Sequence, residues 1–87
     1  MKMTGMNRIK VLFFATLRDR AGSKSAELDI PVDTTVQALK GLVVEAYPGL
    51  KETMDTVVIS INREFAFDES IVPKDAEVAM FPPVSGG

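Results

Sequence analysis

One stretch alone, Thr34–Tyr47, repeats its apolar residues at helical spacing, and that single change of period restricts the fold more than any other feature. At about 100° per residue, Val36, Leu39, Leu42, Val43, Ala46 and Tyr47 fall within an arc of roughly 140°, with Gln37, Gly41 and Glu45 opposite. Thr34 followed by Gln37 fits a capping box, and Pro48-Gly49 ends the helix, with a further short turn expected over Leu50–Met54. Around this helix the pattern has period two. Ile9, Val11, Phe13 and Ala15 would share one face of a first strand, and Lys10, Leu12 and Phe14 the other. "RDRAGSKS" reads as a long hairpin loop, after which Ala26, Leu28 and Ile30 alternate with polar residues. Past the helix, Val57, Ile59 and Ile61 alternate again, "NREFAF" reads as a turn into a short strand, and Val78 and Met80 oppose Ala79 and Phe81 in a last strand.

The order is strand, strand, helix, strand, short strand, strand. One amphipathic helix can cover one face of one sheet, so an α+β roll is expected: a mixed sheet of four or five strands with one main helix packed on one face. A right-handed crossover returns the chain so that the first and last strands lie side by side and parallel. Leu12, Phe14, Ala79 and Phe81 would then gather on the face away from the helix. Such a patch marks a partner surface unless loop residues fold over it, and the pattern leaves both open.

The chain has 87 residues, 46% of them hydrophobic and 25% charged, which describes one small globular domain with a modest core. It divides into a flexible lead-in (1–7), the domain proper (8–81) and an extended tail (82–87). Histidine and cysteine are both absent, which removes thiol nucleophiles, imidazole bases and the usual zinc ligands together. A net charge of −2 with interspersed signs argues against nucleic acid as a partner. The apolar run Val11–Leu17 meets Arg18-Asp19-Arg20 without a small-residue cleavage site, so it reads as a strand rather than a secretory signal. No segment approaches the roughly 20 apolar residues of a membrane span, which leaves the cytoplasm as the expected location.

The last residues are "FPPVSGG". Pro82 and Pro83 cannot donate to a ladder, so the last strand must end there and leave extended. At up to about 3.5 Å per residue, Pro82 to Gly87 can reach roughly 20 Å. Gly86 and Gly87 carry no Cβ, so a terminal carboxylate on them could enter a narrow tunnel and present an unhindered carbonyl carbon. That shape suits acyl activation: attack on the α-phosphate of ATP gives an acyl-adenylate, and a sulfur nucleophile displacing AMP leaves a thiocarboxylate.

This ordering of strands around one helix, with a Gly-Gly end, resembles the ubiquitin-like β-grasp fold. "KVLFFATLRDRAG" and "DAEVAMFPPVSGG" together resemble the small subunit of molybdopterin synthase, the MoaD family, essentially from Arg8 onward. The resemblance implies a sulfur carrier whose C-terminal glycine is adenylated by an E1-like enzyme, with ATP, and converted to a thiocarboxylate. The tail then enters the large synthase subunit and gives sulfur to cyclic pyranopterin monophosphate in molybdenum cofactor biosynthesis. Gly87 would bear the sulfur, Gly86 would be its slim neighbour, and Pro82, Pro83, Val84 and Ser85 would form the inserted tail. Phe14, Phe81, Leu12 and Ala79 would dock on partners; for Arg18 a contact role and a solvated surface charge are equally open. The implied assembly is a heterotetramer of two small and two large subunits, with no cofactor bound and the catalytic site on the large subunit. The lead-in departs from the family's usual start, leaving Met3 and Met6 open as translation starts. The activated glycine serves equally a carrier for thiamin, cysteine or tRNA thiolation, or a ubiquitin-like modifier forming isopeptide bonds. A binding module using the Phe14/Phe81 patch alone is the third reading.

Overall fold

The computed structural model describes residues 5–83. Strand β1 (Met6–Phe13) is followed by a short helix α1 (Thr16–Ala21), β2 (Ser25–Pro31) and the main helix α2 (Val36–Ala46). Two 3₁₀ turns, Pro48–Leu50 and Met54–Thr56, lead to β3 (Val58–Ile61), β4 (Glu64–Phe65) and β5 (Glu77–Phe81). The sheet order is β2-β1-β5-β3-β4, with β1 and β5 parallel and the other pairs antiparallel. This is the mixed sheet with one main helix that the periodicity predicts, and of the four or five strands expected it has five.

Alternation decides which side chains enter the core. Ile9, Val11 and Phe13 from β1, Val78 and Met80 from β5, and Ile59 and Ile61 from β3 are all buried. Val36, Leu39 and Val43 of α2 close over them. At about 1.5–3 kcal/mol per fully buried aliphatic side chain, these three helix residues contribute roughly 5–9 kcal/mol before the entropy of ordering. Phe13 meets Tyr47 edge to face, with centroids 5.2 Å apart at 70°. The apolar arc of α2 is narrower than the periodicity implies, since Leu42 and Tyr47 are half-buried and Ala46 is exposed.

Four local expectations are corrected. Met6 and Asn7, assigned to the lead-in, belong to β1. Asn7 is buried because its side chain clamps the approach to β5: Nδ2 donates to the Pro73 carbonyl at 2.8 Å and Oδ1 accepts from Asp75 N–H at 2.8 Å. Within the expected hairpin loop, Thr16–Ala21 form α1, which buries Leu17 and ends at Gly22 in the left-handed region with φ 76°. Six residues with one buried side chain are too few to display a period. Ala15 leaves the strand with φ 54° and so does not join Ile9, Val11 and Phe13 on the inner face. The cap of α2 is Thr35, whose hydroxyl accepts from Ala38 N–H at 3.2 Å, while the Thr34 hydroxyl donates back to the Pro31 carbonyl. Thr34 is held in that role by the segment before β5, where Val72 N–H donates to its carbonyl at 2.9 Å.

Candidate functional site

On the sheet face away from α2, the even positions of β1 and the odd positions of β5 project together. Leu12 is the register partner of Ala79, and Phe14 N–H donates to the Met80 carbonyl at 3.2 Å just beyond the paired strands. The rings of Phe14 and Phe81 stack with centroids 4.7 Å apart and planes 11° from parallel. Ser60 of β3 sits beside Ala79 and opposite Phe65 of β4, which brings that phenylalanine onto the same face. Leu12, Phe14, Ser60, Phe65, Ala79 and Phe81 line a groove of about 510 Å³, with Arg63 and Glu77 completing it.

Phe14 is 40% exposed and Phe65 76% exposed, so no described loop covers this surface. The other end of the same face is charged: Arg8 bridges Glu27 and Asp29 at 3.1 Å each. The face therefore divides along the strands into an ionic half and an apolar half. Because β1 and β5 are parallel, the apolar half lies where β5 ends and the chain passes into half-buried Pro82 and exposed Pro83. Val84, Ser85, Gly86 and Gly87, named above as tail and reactive end, lie outside the described residues.

The backbone at Phe14 is built tightly. Leu17 N–H donates to the Phe14 carbonyl at 3.0 Å, closing a turn whose next residue, Ala15, has φ 54° and ψ −129°, a conformation that L-residues adopt at a cost. Buried Leu17 on one side and the Phe14–Phe81 stack on the other pin both ends of that turn.

Four of the expected interface residues, Leu12, Phe14, Ala79 and Phe81, are thus brought together. Arg18 is not among them: it lies on α1, beside a separate shallow depression with Asp19, Gly22, Ser23 and Lys24. Phe65, Ser60, Arg63 and Glu77 were not anticipated. The signal for Phe65 was present, because a two-residue loop at Asn62-Arg63 sets Ser60 opposite Phe65, and Ser60 must point away from the core side of Ile59 and Ile61. Among the described residues no group of His, Cys, Asp or Glu could hold a metal ion, and no helix is long and apolar enough to cross a membrane.

Residues 11–87 match the family model described as ThiS family. The molybdopterin synthase sulfur carrier subunit of Arabidopsis thaliana is 37% identical over 84 residues, spanning 97% of this chain and 88% of that protein. Among solved structures, SAMP1 of Haloferax volcanii, a small archaeal modifier protein, gives a TM-score of 0.82 at 30% identity, covering 93% of this chain and 100% of that one. A putative molybdopterin converting factor subunit 1 from Pyrococcus furiosus gives 0.81 at 26% identity, covering 90% and 99% respectively.

Proposed function

The chain belongs to the ThiS family as a relative of the molybdopterin synthase sulfur carrier subunits, and on that premise we propose that it carries sulfur on its C-terminal glycine, Gly87. An E1-like enzyme supplies ATP; a carboxylate oxygen of Gly87 attacks the α-phosphate and expels pyrophosphate, giving an acyl-adenylate. A sulfur nucleophile then adds to the carbonyl carbon and AMP leaves with that oxygen, so sulfur replaces one oxygen. The loaded tail enters the large subunit of molybdopterin synthase and gives its sulfur to cyclic pyranopterin monophosphate, two small subunits serving two large ones.

The observation that carries this reading is the position of the apolar groove at the end of β5, where the chain leaves toward its Gly-Gly end. A partner seated on Phe14, Phe65 and Phe81 would find the tail beside it. The domain supplies neither histidine nor cysteine, so activation and pterin chemistry fall to the partners. Co-expression with the adenylating enzyme under sulfur-replete conditions is expected to raise the intact mass by about 16 Da at the C-terminus. No such species in the mass spectrum would refute the role given to Gly87.

Likeness to an archaeal modifier protein favours a second reading, attachment of Gly87 to lysines of other proteins. Covalent ladders on denaturing gels that vanish on deletion of Gly87 would support it over sulfur transfer to the pterin.

A further inference from the structure

The β3–β4 hairpin turns on two residues, Asn62 and Arg63, between the paired Ile61 and Glu64. Both have positive φ, 52° and 73°. That is the pattern of a type I′ turn, whose twist suits the flanking strands and whose second position glycine occupies in the favoured Asn-Gly form. Asn62 is compensated: its Oδ1 accepts from Glu77 N–H at 3.0 Å and its own N–H donates to the Glu77 carbonyl at 2.8 Å. Arg63 has no such compensation, and glycine would make the turn with less strain.

The side chain at this strained position lines the apolar groove beside Phe65. Among the described residues the ion pairs are those of Arg8 with Glu27 and Asp29 and of Lys40 with Asp68, so the Arg63 guanidinium is left without a bridge. Glu77, the acidic residue of the groove, is the register neighbour of Lys10 and forms no bridge to Arg63. A protein covering Phe14, Phe65 and Phe81 would strip water from this guanidinium, and an uncompensated charge in a covered interface opposes association. Docking therefore requires a counter-charge, and a planar fork is best met by a carboxylate bound through two parallel hydrogen bonds.

We infer that Arg63 is the charge-selective element of the groove: it receives an Asp or Glu of a partner protein whose neighbouring apolar side chains fill the space over Phe14, Phe65 and Phe81. The inference rests on the reading that this face docks sulfur-transfer partners. It adds that those partners are chosen by an acidic residue beside an apolar protrusion, and that the turn accepts strain to carry the selecting group.

The test titrates the full-length chain and its Arg63→Gly, Arg63→Lys and Arg63→Glu variants calorimetrically into the large subunit and into the adenylating enzyme of the same organism, at low and high salt. Arg63→Gly is expected to melt no lower than wild type, since glycine suits φ 73°. It should nonetheless bind about ten-fold more weakly at low salt, with a flattened salt dependence. Arg63→Lys keeps the charge but not the fork and should lose about three-fold, and Arg63→Glu about a hundred-fold. Wild-type binding with Arg63→Gly and Arg63→Glu within about two-fold of it overturns the inference alone. Wild type that binds neither protein overturns the proposed docking and the inference with it. Sedimentation showing a dimer of the chain that Arg63→Glu dissociates also overturns it, in favour of a second copy as the occupant.

Discussion

Replacing Phe65 by alanine separates a docking surface from a structural one. Phe65 is 76% exposed, and a phenylalanine presents on the order of 200 Å², so about 50 Å² is buried within the domain and about 150 Å² is open to a partner. At ~25 cal/mol per Å², the buried part contributes about 1 kcal/mol to folding and the open part up to about 4 kcal/mol at a covered interface. Ordering of side chains and imperfect burial reduce the second figure to about 2 kcal/mol. Phe65→Ala is therefore expected to lower the melting temperature by only about 4–8 °C, yet to weaken binding of the large subunit about 30-fold. Leu39→Ala should show the opposite pattern: a fully buried leucine costs about 2–5 kcal/mol of folding when truncated, and the folded fraction would still bind normally. Scanning calorimetry and binding titration on the same preparations read both quantities. A Phe65→Ala protein that melts as low as Leu39→Ala and binds as tightly as wild type would refute the assignment of this groove to docking.

Two further substitutions test how the site is held. Asn7→Ala leaves the Asp75 N–H and the Pro73 carbonyl without their partners, at about 2–4 kcal/mol together, and is expected to lower the melting temperature by about 10–25 °C; an unchanged midpoint would show that the clamp is dispensable. Gly49→Ala would bring a Cβ within 2.6 Å of the Arg20 carbonyl oxygen, so α1 and the 3₁₀ turn must move apart at a cost of about 1–3 kcal/mol, and a thermal scan matching wild type would contradict that close approach.

The features legible in the sequence are those where side chains impose a period. Alternation in β1, β3 and β5 and the helical spacing of α2 declared themselves because each element buries one face, and the parallel adjacency of β1 and β5 followed from crossover handedness. The features that were hidden depend on backbone geometry or on partners distant in the chain. Helix α1 turns on one buried leucine and a left-handed Gly22, and its residues look like any polar loop. Threonines 34 and 35 are chemically equivalent as caps, and the choice falls to Thr35 because Thr34 is occupied by the Val72 N–H and the Pro31 carbonyl. Asn7 resembled part of an unstructured lead-in because its partners lie more than sixty positions away. The groove was half legible: four of its residues follow from strand parity, while Phe65 and Arg63 enter only when the two-residue turn fixes the register of β4.

Under the sulfur-carrier reading, the parallel pairing of β1 with β5 accounts for how one docking face could direct a reaction at Gly87. Had the two strands run antiparallel, Phe14 would lie at the opposite end of the sheet from Pro82, and a partner gripping the aromatic stack would sit a strand's length, roughly 17 Å, from the departing chain. In the parallel arrangement both strands finish together, and the Phe14–Phe81 stack joins their ends. The prolines after Phe81 have φ fixed, and six residues at up to about 3.5 Å each bound the distance from the groove to the Gly87 carbonyl at roughly 20 Å. Under the sulfur-carrier reading, a partner need only place its active site within that radius of an apolar protrusion and an acidic residue. Two enzymes of unrelated chemistry can then use one carrier in turn, because what they must share is a docking geometry and not a mechanism.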